Sequence, residues 1–191
     1  MEIILASFNR NKAREIEKIV APVAVRSLAD FGVELDFDAL ETADTYEGNA
    51  LIKVRAAAEH VKGIIVADDS GLEVDALGGR PGVHSARYGG AEIPDRDRCK
   101  VLLDEMKDIP SGRRAARFVC CVALRLEDGS EKFFRGALEG SIHTEVIGES
   151  GFGYDPVFLL PDSGLTVAQI SSAEKNSISH RAKAFQALRD Y

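Results

Sequence analysis

Apolar and polar positions recur along this chain with two periods, and the switches between them mark out its elements. Ile3-Ile4-Leu5-Ala6 is an unbroken apolar run of strand length. Residues 12–20 place Ala13, Ile16, Ile19 and Val20 on one helical face, with Asn9 or Asn11 available as the cap. After Thr45, the positions Ala50, Leu51, Val54, Ala57, Ala58 and Val61 return at helical spacing, and Gly63 supplies the stop. Residues 64–66 then read as a strand that ends in Asp68-Asp69-Ser70-Gly71.

The second half mixes the two periods. Gly78-Gly79-Arg80-Pro81-Gly82 is a turn-rich loop, and residues 94–106 form a helix with proline at its start. Residues 118–126 are continuous enough for a strand buried on both faces, and Asp128-Gly129 turns it into residues 132–142. There Phe134, Gly136, Leu138, Gly140 and Ile142 share one side, while Arg135, Glu139 and Ser141 share the other. A glycine-rich loop over 148–156 leads to a short strand at 157–160. Ser171-x-x-Glu174 is a capping box, and the last helix, from Ser179, turns Ala182, Phe185 and Leu188 inward. Strand-helix units together with a long hairpin predict an α/β fold whose sheet is mixed.

Composition narrows the function. A chain of 191 residues with 45% hydrophobic and 29% charged residues supports one substantial core, so residues 1–191 are expected to form a single domain. The net charge of −7 argues against a nucleic-acid partner, because such proteins carry a basic stripe. Any anion site must be local. The 3 cysteines, two of them adjacent at Cys120-Cys121, offer neither metal-ligand spacing nor a disulfide framework and read as small buried hydrophobes. No apolar run approaches the ~20 residues that span a bilayer, and the N-terminus lacks a secretory pattern, so a cytoplasmic location without a membrane partner is expected.

Three stretches carry candidate chemistry. Adjacent acids at Asp68-Asp69 are costly to bury unless a cation or a proton transfer uses them, and strand carboxyl ends are where open α/β sheets bind ligands. Ser7-Phe8-Asn9-Arg10-Asn11-Lys12 stands between a strand and a helix start, where backbone amides, a hydroxyl, an amide and a lysine suit a phosphate. Its spacing is not that of a Walker loop. Glu41, ahead of the Thr45 helix that carries Lys53, gains meaning as a Mg²⁺ ligand if the paired acids join it. Near the end, Gly151-Phe152-Gly153-Tyr154-Asp155-Pro156 offers aromatic faces and an acid on a flexible loop, and Lys175, Ser179, His180 and Arg181 offer donors. Cations in the first turn of a helix oppose its dipole, by about 0.3–1 kcal/mol each, which a bound anion or base edge would offset.

Seven segments taken together resemble the inosine triphosphate pyrophosphatase family over nearly the whole chain. They are Ser7-x-Asn9-x-x-Lys12, Thr45-Tyr46-x-x-Asn49-Ala50-x-x-Lys53, Val66-Ala67-Asp68-Asp69-Ser70-Gly71, Gly78-Gly79-x-Pro81-Gly82, Ser85-Ala86-Arg87-Tyr88, Phe152-Gly153-Tyr154-Asp155-Pro156 and Ser179-His180-Arg181. The resemblance implies an elongated mixed sheet with flanking helices forming two lobes around a nucleotide cleft, a homodimer, and Mg²⁺-dependent hydrolysis of non-standard purine nucleoside triphosphates to monophosphate and pyrophosphate. It implies that Ser7, Asn9, Lys12 and Lys53 hold the triphosphate, with Ser70 also on the substrate side. Glu41 and Asp69 would serve the metal, with Asp69 also the proton acceptor. Phe152, Gly153, Tyr154, Asp155, Lys175, His180 and Arg181 would form the base pocket and its phosphate-side wall. Two positions depart from the family. Phe8 stands where many relatives have Gly, and Gly48 where some have Glu, which leaves Thr45 without a capping-box partner. The rival readings are a related pyrophosphatase for pyrimidine or methylated nucleotides, and a nucleotide sensor without turnover, which would not need adjacent acids.

Overall fold

The computed structural model describes residues 2–191, without the side chains of Arg10 and Asn11. In chain order the elements are β1 (Glu2–Leu5), α1 (Arg10–Val20), β2 (Ala24–Ser27), the single turn α2 (Phe37–Leu40), α3 (Tyr46–Ala58), β3 (Ile65–Val74), α4 (Asp95–Glu105), β4 (Ala115–Arg125), β5 (Glu131–Ile142), β6 (Phe158–Leu159), α5 (Ser172–Ile178) and α6 (His180–Arg189). The strands build one sheet in the order β2-β1-β3-β4-β5-β6. β1 pairs in parallel with β2 and β3, and β5 pairs antiparallel with β6, so the sheet is mixed, as the alternation of elements predicts.

Contacts divide the chain into two compact units. The first holds Met1–Ser70, Cys120–Gly136 and His180–Tyr191. Its centre is β1, buried on both faces. Ile3 and Leu5 pack with Val66, with Ile16 and Val20 of α1, and with Ala184 and Phe185 of α6. Ile4 and Ala6 pack with Ile65, Ala67 and with Ala50, Val54 and Ala57 of α3. Successive residues of β1 and β3 thus feed opposite cores, each large side chain contributing roughly 1.5–3 kcal/mol.

The second unit holds Gly71–Val119 and Ala137–Ser179. Leu72 and Val74 of β3, Cys99, Leu102 and Met106 at α4, and Phe118, Leu138, Tyr154 and Phe158 form its core, with Phe118 and Phe158 stacked at 4.4 Å. Arg114 is buried here with no carboxylate paired to it among the described residues. It donates instead to the carbonyls of Met106, Ile109, Ile142 and His143 at 2.7–3.1 Å. Cys99, Cys120 and Cys121 are free and buried, as expected from their apolar surroundings.

Several expectations change. The strand at Ile65 does not stop at the acids but runs on to Val74, because both carboxylates find cations and Leu72 and Val74 still have a core to enter. What ends there is β1: the Ala6 amide donates to the Val66 carbonyl, and beyond it the acids lie past the carboxyl end of a parallel neighbour. The short β2 and α2 gave no periodic signal. β2 has no fully buried residue, and α2 is a single turn with only Phe37 inward, capped by Asp36 on the Ala39 amide. Helix α3 closes at Ala58, ahead of Gly63, and Pro94 is the N-cap of α4 instead of its first residue.

Candidate active site

Strand geometry separates the paired acids. On β3, Asp68 points to the side of Val66 and Ser70, toward α1 and α6, while Asp69 points to the side of Ala67, toward α3. Adjacent carboxylates therefore make their closest side-chain contacts on opposite faces of the strand.

Asp68 is 2% exposed. Lys12 Nζ lies 3.2 Å from its Oδ2 and Arg181 Nε 3.3 Å from the same atom. Arg181 also meets Glu15 at 2.6 Å through Nη1 and donates to Ser70 Oγ at 3.1 Å through Nη2. Burial alone would raise the Asp68 pKa, but Lys12, Arg181 and Lys53 outweigh it and hold the carboxyl well below the usual range. Burial likewise opposes the Arg181 charge, and Asp68 and Glu15 more than restore it. The basic first turn of α6 thus has its compensating anions in the chain itself, where the sequence pointed to a ligand.

On the other face, Lys53 Nζ sits 2.7 Å from Glu41 Oε1, 3.1 Å from Asp69 Oδ1 and 2.9 Å from the Asp68 carbonyl. Asn49 Nδ2 donates to Asp69 Oδ2 at 3.2 Å, and Asn49 Oδ1 accepts from the Ala43 amide. Asn49 and Lys53 lie one turn apart on the buried face of α3. Thr45 caps that helix through the Gly48 amide at 3.1 Å, with no help from residue 48. A Cβ on Gly48 would stand 2.6 Å from the Ala43 Cβ, so the tight entry to α3 excludes a larger side chain there. Burial raises the Asp69 pKa and Glu41 adds to it, against the pull of Lys53 and Lys12; the net direction is upward. Burial lowers the Lys53 pKa, yet Asp69, Glu41 and Asp68 leave it raised. Neighbouring acids are thereby driven apart, one firmly ionised and one ready to accept a proton, which is the division that acid-base chemistry uses.

The loop before α1 is locally ordered. Ser7 Oγ accepts from the Asn9 amide and Asn9 Oδ1 from the Lys12 amide, so Asn9 is the cap, while the Asn11 side chain lies outside the described residues. Phe8 is 42% exposed and lies against Phe37 with centroids 5.5 Å apart, which ties this loop to the segment leading to Glu41.

The second unit carries the other cluster. Asp155 Oδ2 accepts from Lys175 Nζ at 2.7 Å and from the Phe152 amide at 3.0 Å, and Lys175 Nζ stands 4.4 Å over the Phe152 ring. The Gly153 amide donates to Asp95 Oδ2 at 2.7 Å, and the Tyr154 hydroxyl to the Ser85 carbonyl at 2.9 Å. The loop expected to be flexible is pinned at successive residues. Tyr154 is a core residue, so of the two aromatics only Phe152 keeps part of its ring accessible.

The first unit therefore brings together Lys12, Glu41, Lys53, Asp69, Ser70 and Arg181 about β3, with Ser7 and Asn9 at the mouth of α1 and His180 buried at the first residue of α6. The second brings together Phe152, Gly153, Asp155 and Lys175. Sequence reasoning left Asn49, Glu15 and Asp95 without roles. A signal existed for Asn49, an amide one turn before Lys53 on an otherwise apolar face, and for Glu15, one turn after Lys12 on α1. Asp95 had none, because its partner is a backbone amide distant in sequence.

The Ham1 family model matches residues 3–191. A dITP/XTP pyrophosphatase of Bacillus subtilis is 43% identical over 189 residues, covering 98% of this chain and 94% of its own length. One of Geobacillus kaustophilus is 45% identical, covering 98% and 92%. Among solved structures, the Staphylococcus aureus Ham1 protein aligns with a TM-score of 0.88 at 38% identity, over 100% of this chain and 97% of its own. A nucleoside-triphosphatase / dITP/XTP pyrophosphatase of Mycobacterium abscessus aligns at 0.77 with 40% identity, over 98% of each chain.

Proposed function

Because this chain belongs to the Ham1 family, we propose that it hydrolyses non-standard purine nucleoside triphosphates (dITP, ITP and XTP) to the monophosphate and pyrophosphate in a Mg²⁺-dependent reaction. The observation that carries the reading is the convergence of Glu41 and Asp69 on one cation, the Lys53 ammonium. Those carboxylates are placed to share a positive charge, and hard oxygen donors suit Mg²⁺. Among the described residues no group of three or more His, Cys, Asp or Glu is assembled for a metal, so the pair needs further oxygens, which a triphosphate has.

Glu41 and Asp69 would hold a bound Mg²⁺, which would supply neutralisation of the charge that develops on the phosphate. The chain's own residues do the rest. Lys12 and Lys53 neutralise the polyphosphate, with Ser7 and Asn9 ordering the loop that presents the first turn of α1. Asp69 accepts the proton of the water attacking the α-phosphorus, a role that suits a carboxyl raised by burial. Asp68 and Arg181 fix the opposite face of β3. Phe152, Asp155 and Lys175 take the base, where the Lys175 ammonium, the one side-chain donor of the three, favours the 6-oxo group of hypoxanthine or xanthine over the amino group of adenine. The same reading takes the working form to be a cytoplasmic homodimer, as the resemblance implies. It is tested by incubating the protein with dITP, ITP, XTP and the four standard nucleotides, with Mg²⁺ and with EDTA. Turnover of the first group in Mg²⁺ alone is expected, and equal turnover of ATP, or full activity in EDTA, overturns it.

A further inference from the structure

We propose that Asp95 is a positioning residue that sets base discrimination by fixing the Phe152 loop from α4; this rests on the assignment of that loop to the base. Two consecutive backbone amides of the loop are each held by a carboxylate: Phe152 N by Asp155 Oδ2 at 3.0 Å, and Gly153 N by Asp95 Oδ2 at 2.7 Å. The first contact is internal to the loop, its carboxylate held in turn by Lys175 of α5. The second comes from a separate helix and ties the loop to a rigid element.

Asp95 is built for this. Its Oδ1 is held by Arg98 Nη1 at 2.9 Å. Arg98 is itself immobilised, 6% exposed, by Nη2 contacts to the carbonyls of Gly90 and Ile93 at 3.3 and 3.1 Å. One turn on, Cys99 Sγ approaches the Gly153 carbonyl at 3.4 Å, so α4 grips both polar groups of a single glycine. Gly153 takes φ +61° with nothing within 4 Å of where a Cβ would be, so glycine is required by the backbone conformation and not by crowding. Phe152 thus projects from a backbone clamped on its own amide and on the next. A base stacked there and meeting Lys175 and Asp155 is read at an orientation that Asp95 determines. A negatively charged residue beginning a helix also has a general rationale in the helix dipole, but that explains neither the aim of Oδ2 at Gly153 nor the locked Arg98.

The test is kcat/KM for inosine and adenosine triphosphates in the full-length wild type, Asp95→Ala, Asp95→Asn and Phe152→Ala. Asp95→Ala is expected to lower the inosine-to-adenosine ratio by at least ~10-fold, chiefly by raising KM for inosine triphosphate, while kcat changes less than ~3-fold. Asp95→Asn keeps one acceptor oxygen and should recover part of the ratio. A merely structural role would depress both substrates together and leave the ratio intact. If Phe152→Ala lowers the ratio and Asp95→Ala, folded by circular dichroism, does not, Asp95 has no such role and the base assignment stands. If Phe152→Ala leaves the ratio unchanged, the base assignment falls and this inference with it. Should Asp95→Ala fail to fold, Asp95→Asn decides alone, and a wild-type ratio in it overturns the proposal.

Discussion

Asp68 and Asp69 are adjacent in sequence but belong to opposite faces of β3, Asp68 closed in by Lys12 and Arg181 and Asp69 by Lys53 and Asn49. Substitutions at the two should therefore fail differently. Asp69→Asn keeps shape and loses the proton acceptor, so kcat should fall by at least ~10²-fold while the fold and much of the nucleotide affinity remain. Steady-state kinetics with inosine triphosphate checks this, and a near-normal kcat would assign Asp69 a structural role.

Asp68→Asn should act first on stability, because it leaves Lys12 and the buried Arg181 short of a partner. Breaking a buried pair from one side costs about 3–5 kcal/mol. The pH dependence has a definite sign. The folded pKa lies below the 3.8 of a free aspartate, so its stabilisation is complete above about pH 4 and disappears as pH falls through the folded value. Urea midpoints measured without metal from pH 6 to 2.5 should drop more steeply in the wild type than in Asp68→Asn at the acid end.

Lys53 occupies the point on which Glu41 and Asp69 converge, so its ammonium competes with a divalent ion in the free protein. Lys53→Met should bind Mn²⁺ at least ~10-fold more tightly in the absence of nucleotide, about 1.4 kcal/mol, even as activity with inosine triphosphate falls. Electron paramagnetic resonance of free Mn²⁺ reads this directly. Unchanged or weaker binding would remove the lysine from competition with the metal.

Gly136 of β5 lies under the start of α6, where a Cβ would stand 2.2 Å from the His180 carbonyl and 2.6 Å from the Ala184 amide. Both are backbone atoms and cannot swing aside. Gly136→Ala should push the first turn of α6 away from the sheet, costing about 1–3 kcal/mol and loosening Arg181 from Asp68. Thermal denaturation, with activity measured well below the midpoint, should show both losses.

The legible parts of this protein were those with strong local signals. Apolar periodicity located α1, α3, α4, α6 and the long hairpin strands, because their buried faces repeat within a window of a few turns. The motif order carried Lys12, Lys53, Asp69 and the loop at Phe152, while Glu41, outside every motif, was reached only as a partner for the paired acids. Illegible were the features fixed by distant partners. The continuation of β3 through its acids depends on Lys12, Lys53 and Arg181 arriving from three helices to neutralise them. The engagement of Arg181 with Asp68 and Glu15 depends on α6 lying beside α1, which no local pattern encodes. The same holds for Tyr154, whose ring reads as an exposed aromatic in a glycine loop but enters a core drawn from β3, α4 and β4.

If the acids and lysines direct water to the α-phosphorus, the bond that breaks fixes the first products. Phosphorus NMR of inosine triphosphate turning over in Mg²⁺ follows the products as they form. Inosine monophosphate and pyrophosphate should appear together in equal amounts from the first time point, with no diphosphate intermediate. Stepwise release of orthophosphate through inosine diphosphate would contradict the account.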